Sequence, residues 1–142
     1  MSEPHRSLWV ASLAGIVISI AIRADGSAPA KVLTKPLPPV LNVTTGELPK
    51  TPTAAVQMRA GVLAPETSTF WHTHPSPPFI YVESGTGIWE YKGRPSETRR
   101  AGQAIMEPAN VVMRVVNPGS SPLRLIIFQA SKPGDPVILP AH

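Results

Sequence analysis

Two histidines spaced two residues apart, His72-Thr73-His74, carry the clearest chemical signal in this chain of 142 residues. On an extended strand alternate side chains share a face, so both imidazoles would point the same way. Neutral imidazoles that converge on one point bind a transition metal. Two ligands seldom hold an ion, so a carboxylate or a third nitrogen has to arrive from another strand. Glu107 is the best candidate, because it ends the apolar run Ala104-Ile105-Met106, where a strand serving only as core would carry no carboxylate. The alternatives for Glu107 are a solvent-facing strand end or an ion pair with Arg59, Arg99 or Arg114. Glu83 is a weaker candidate, since it precedes Ser84-Gly85 and reads as part of a turn. The chain has no cysteine, so a metal site here is restricted to histidine, carboxylate and methionine. That absence also excludes a disulfide scaffold, a zinc finger and a cysteine nucleophile.

The elements that must position these residues are short. After Thr53 come the runs Ala55–Val62, Ser68–His74, Phe79–Glu83, Gly87–Tyr91, Ala104–Glu107, Val111–Val116 and Leu123–Phe128. Between them lie Ala64-Pro65, Pro75-Ser76-Pro77-Pro78, Ser84-Gly85, Gly93, Gly102, Pro108 and Asn117-Pro118-Gly119. Short strands at this spacing, with turn residues between, predict an all-β antiparallel sandwich or barrel. No window holds a helical period, and 18 prolines disfavour a helix bundle. The stretch Leu125-Ile126-Ile127-Phe128 reads as a strand buried on both faces or as the interface with a second copy. Trp71, Phe79, Tyr81, Trp89 and Tyr91 are candidates to line a pocket, with core packing as the ordinary alternative.

Upstream the texture differs. Leu8 to Ile22 is a short apolar run preceded by Arg6 and followed by Ala28-Pro29-Ala30, the parts of a secretory signal. Residues 1–30 are therefore expected to direct export to the periplasm or outside the cell, with an uncleaved membrane anchor as the alternative. Residues 31–53 carry Pro36, Pro38, Pro39, Pro49 and Pro52 and read as an extended arm, leaving 54–142 as the folded domain. The net charge is +4, but only Arg99-Arg100 are adjacent basic residues, so no nucleic-acid partner is expected.

Two segments together resemble the motifs of the cupin superfamily. The first runs Thr69-Phe-Trp-His72-Thr-His74-Pro-Ser-Pro-Pro78-Phe-Ile-Tyr-Val-Glu-Ser-Gly85. The second runs Gly102-Gln-Ala-Ile-Met-Glu-Pro108-Ala-Asn110-Val-Val-Met113-Arg-Val-Val-Asn117-Pro-Gly. Gly85, Gly102, Pro108 and Asn117 keep the family spacing, and the resemblance covers roughly Ala54 to Gln129. It implies a small jelly-roll β-barrel in which the second-motif strand lies beside the histidine strand. Glu107 would then point into the barrel mouth and complete a set with His72 and His74, like the two-His, one-carboxylate sites of non-haem iron.

The departures bear on function. The glutamate that commonly supplies a ligand falls at Pro78, and the second-motif histidine falls at Met113, which also fits plain core packing. The first glycine of motif one is Glu66, and a glycine of motif two is Asn110. Together with the N-terminal signal, the resemblance implies an exported cupin that binds a small molecule, a divalent metal, or both, through His72 and His74 and with Glu107 as the further candidate ligand. Iron, manganese, nickel, copper and zinc all remain open. The competing expectations are a metal-dependent enzyme (dioxygenase, isomerase or decarboxylase-like) and a structural barrel. A second copy of the chain is the expected macromolecular partner, and membrane contact is expected only through an uncleaved N-terminal segment.

Overall fold

Alternation of apolar and polar side chains sorts this chain into two antiparallel sheets. The computed structural model describes residues 35–141. The segment expected to direct export, the first residues of the arm and His142 lie outside the described residues. Residues 35–54 carry no strand, and Glu47 Oε2 accepts the Ala109 N–H at 2.8 Å. The strands are β1 (Ala55–Leu63), β2 (His72–Thr73), β3 (Pro78–Ser84), β4 (Thr86–Tyr91), β5 (Arg94–Arg100), β6 (Ala104–Met106), β7 (Met113–Val116), β8 (Leu123–Ser131) and β9 (Leu139–Pro140). Among the described residues there is no helix, and so none long and apolar enough to cross a membrane.

One sheet has the order β1-β8-β3-β6 and the other β5-β4-β7-β2-β9. Every pairing is antiparallel. The core draws on both sheets: Ile80, Val82, Ile105, Leu123 and Leu125 from one, and Trp89, Tyr91, Met113 and Val115 from the other. Gly87 makes room for the largest of these, since a Cβ there would stand 2.6 Å from Trp89 Cζ3.

Three expectations need correction. The run Ser68–His74 forms a ladder only at His72–Thr73, with a single bridge from Ser68 to Val116. Strand β5 was not expected, because Arg-Pro-Ser-Glu-Thr-Arg-Arg has no apolar residue. It is an edge strand pairing only with β4, so its side chains face water and need no core periodicity. Strand β8 is not buried on both faces either. Leu123 and Leu125 point inward, whereas Ile126 is half-buried and Phe128 is 37% exposed on the outer side.

The two departures from glycine keep the glycine conformation. Glu66 has φ 56° and Asn110 has φ 58°, both left-handed. Asn117 then joins two loops. Its Nδ2 donates to Leu63 O, Ala64 O and Ser121 O, and its Oδ1 accepts the Gly119 N–H.

Candidate metal centre

The strand fragment β2 turns His72 and His74 to the inner side, where they are 3% and 6% exposed. Each ring is fixed by a backbone carbonyl. His72 Nδ1 bonds Phe70 O at 2.7 Å, and His74 Nδ1 bonds Val137 O at 2.6 Å. Each Nδ1 carries its proton toward a carbonyl, which leaves Nε2 as the lone-pair nitrogen on both rings.

Glu107 follows β6 directly, and its position is set by the backbone. Its N–H donates to Pro78 O at 3.0 Å, while the Asn110 N–H donates to His74 O at 2.8 Å. These two bonds tie the second-motif loop to the histidine segment. The carboxylate is 2% exposed, and its Oε1 accepts the Trp89 indole N–H at 2.7 Å. Its other oxygen, Oε2, lies 2.9 Å from His74 Nε2. That nitrogen is buried and has no hydrogen-bond partner, so the contact is a close approach of two donor atoms rather than an aligned hydrogen bond.

The ligating atoms of His72, His74 and Glu107 lie within 4.8 Å of one another. Two ligand atoms about 2.1 Å from one ion and at right angles to each other stand about 3.0 Å apart. The pair His74 Nε2 and Glu107 Oε2 has that spacing, so the residues present fit a divalent transition metal. Burial holds the His72 imidazole below its ordinary value of 6.5. The Phe70 carbonyl opposes that effect, His74 adds to it and Glu107 opposes it. A neutral ring is the form that ligates.

The three side chains line a cavity of about 220 Å³ whose wall includes Ile80, Val115, Leu125, Ile127 and Ile138. Arg59 enters the same cavity from β1. It forms no ion pair with Glu107, and neither do Arg99 and Arg114, which pair with Glu97 at 2.6 Å and Glu90 at 2.7 Å. Glu83 is exposed on the outer side of β3 and takes no part. Met113 stands opposite His72 across the β2–β7 ladder but is fully buried in the core. None of the five aromatic candidates lines this cavity, but Trp71 lines a second cavity of about 680 Å³ together with Phe70 and Arg114. Trp89 and Tyr91 are core, Phe79 and Tyr81 lie on the outer side of β3, and Trp71 stacks outside under Arg114, 4.8 Å from its ring centroid.

Sequence reasoning missed Trp89 as the partner of Glu107, and it missed Gln129. The signal for Gln129 is parity. Leu123, Leu125 and Ile127 point inward on β8, so Gln129 must do the same, as an amide among apolar side chains.

Residues 61–128 match the family model for a cupin domain, from Gly61 in β1 to Phe128 in β8. This segment is a cupin domain. This cupin shares its fold with a double-stranded β-helix protein from Klebsiella pneumoniae at 18% identity and a TM-score of 0.54, covering 76% of this chain and 98% of that one. It is similar to the DMSP lyase DddQ from Ruegeria pomeroyi at 10% identity and a TM-score of 0.55, covering 63% of this chain and 44% of that one. It is also similar to the polyketide cyclase RemF from Streptomyces resistomycificus at 21% identity and a TM-score of 0.52, covering 61% of each. The cupin thus spans less than half the length of the DMSP lyase. No curated protein matches the sequence.

Proposed function

We propose that this cupin holds one divalent transition-metal ion on His72, His74 and Glu107 and admits a small molecule beside it. The observation that carries the reading is the orphaned, buried His74 Nε2 standing 2.9 Å from a carboxylate oxygen. A buried donor atom without a partner is costly, and an ion shared with Glu107 and His72 removes that cost. The supporting groups suit the role. Phe70 O and Val137 O orient the rings, and the Trp89 indole holds the carboxylate. The wall around these groups is largely apolar.

Three protein ligands facing a cavity make an open site, unlike the closed four-ligand set of a structural ion. This favours a metal-dependent enzyme acting on a small molecule over a purely structural barrel. When bound, the ion would act as a Lewis acid on an oxygen of that molecule. The lyase and the cyclase that share the fold support small-molecule chemistry in general and no particular reaction.

Elemental analysis tests the reading. Metal-free protein is offered iron(II), manganese, nickel, copper and zinc in turn and desalted. One ion per chain is expected with at least one metal, and His72→Ala and His74→Ala should abolish it. Retention of none of the five by the unaltered protein overturns the proposal.

Export and self-association complete it. The apolar run of residues 8–22 supports an exported protein, which cell fractionation and N-terminal sequencing check. The outer side of the β1-β8-β3-β6 sheet supports a homodimer. Met58, Phe128, Phe79 and Met106 form one row across all four strands there.

A further inference from the structure

Arg59 is the one Lys or Arg side chain lining the cavity, and its guanidinium is permanently charged. It sits on β1 opposite Ile127, and both side chains point inward. Its Nη2 donates to Gln129 Oε1 at 3.2 Å. Its Nε is buried and has no partner. Among the described residues no carboxylate is within ion-pair distance of it.

Gln129 orients this cation without neutralising it. The amide is 1% exposed, and its Nε2 donates to Ser76 O at 2.7 Å, which fixes Oε1 toward the guanidinium. Glu107 does not serve as a counterion by contact. One of its oxygens is engaged by Trp89 and the other faces His74. A buried guanidinium N–H without a partner beside an apolar wall is expensive unless something binds it.

We propose that Arg59 is the anion-binding residue of the cavity and that the ligand is a small aliphatic monocarboxylate. The inference rests on the reading above that the cavity admits a small molecule. The Nε–H edge of a guanidinium, with a neighbouring Nη N–H, is a planar fork that matches a carboxylate. A phosphate monoester, nearly doubly charged, calls for more donors than one guanidinium, and the lining holds no second Lys or Arg. The cavity of about 220 Å³ corresponds to about seven waters at ~30 Å³ each, which limits the ligand to a short chain. Leu63, Ile80, Leu125 and Ile127 supply the apolar wall for that chain.

The test is calorimetric titration of the full chain, metal-free and then metal-loaded. The probes are the straight-chain carboxylates from acetate to hexanoate, with butyramide as the neutral isostere of butyrate. Butyrate is expected to bind more tightly than butyramide in both forms. Arg59→Gln should weaken butyrate about 10- to 100-fold while leaving butyramide unchanged. Arg59→Lys, which keeps the charge and loses the fork, should retain part of the preference. If Arg59→Gln fails to fold by thermal melting, Arg59→Lys against the unaltered protein supplies the comparison. Equal affinity for butyrate and butyramide, or an Arg59→Lys protein identical to the parent, overturns the inference. So does binding of no carboxylate at about 10 mM, a weak-affinity limit. Metal content is measured on the same samples. Normal metal uptake without a carboxylate preference removes only the role of Arg59. A carboxylate preference in metal-free protein that takes up no metal removes only the ion.

Discussion

At the scale of single residues, one indole bears on the metal site without being a ligand. Trp89 donates its only N–H to Glu107, so Trp89→Phe keeps most of the packing and removes the bond that orients the carboxylate. The expected result is a fall in metal affinity of about 10- to 100-fold with folding retained, read by competition against a metallochromic chelator. Unchanged affinity would show that Pro78 O and packing alone position Glu107. His72 gives the pH prediction. Its folded value lies below its ordinary 6.5, so near pH 6 the unfolded chain binds a proton that the folded chain refuses. Stability of the metal-free protein therefore falls as pH drops below 6.5, and the loss levels off once the folded ring is protonated too. Urea midpoints at pH 7.5 and pH 5.5 check this, and His72→Phe should reduce the difference. The histidine pair can be read from spacing alone. The burial of Glu107 cannot, because it depends on Trp89 and on Pro78, residues whose own chemistry points elsewhere. Proline at position 78 removes a side-chain donor, yet its carbonyl holds the backbone of Glu107, the carboxylate proposed to replace it.

At the scale of elements, the loops carry as much of the design as the strands. Asn117 spans the β1–β2 and β7–β8 connections with three donated bonds and one accepted bond. Asn117→Ala removes a buried amide and its bonds to three loop carbonyls and should cost about 2–4 kcal/mol, read as a fall of about 10 °C or more in Tm. A shift of a degree or two would mean that water replaces the amide. This clamp is legible as a motif asparagine, but Leu63 and Ala64 are not legible as its partners, since they lie more than fifty residues away. The strand assignments show the same divide. Runs with an inward apolar row are found from their apolar content, as Phe79–Glu83 and Leu123–Phe128 are, although the unbroken Leu125–Phe128 hides which face is inward. Strand β5 escapes because an edge strand needs only backbone bonds on one side. Left-handed Glu66 and Asn110 show why motif glycines can be lost without losing the turn. The conformation persists at a local cost, and Asn bears it better than Glu.

At the scale of the molecule, the outer row Met58–Phe128–Phe79–Met106 is apolar and uninterrupted by charge. A patch able to meet its own copy across a two-fold axis needs that property. Strand β8 is flanked by β1 and β3, so any contact is face to face rather than strand addition. Phe128→Glu should convert a dimer to a monomer in light scattering while metal uptake stays normal. A parent protein that is already monomeric at high concentration would remove the dimer. The C-terminal segment has a different consequence. Val137 supplies the carbonyl that fixes His74, Ile138 walls the cavity, and β9 pairs with β2. His72, His74 and Glu107 all precede it in the chain, yet their arrangement is finished only when that segment docks. The candidate ligands are thus assembled by a segment that contributes none of them. A chain cut after Lys132 still carries His72, His74 and Glu107 but lacks the Val137 carbonyl that fixes the His74 ring, so such a truncation should lose the metal uptake proposed for the whole protein.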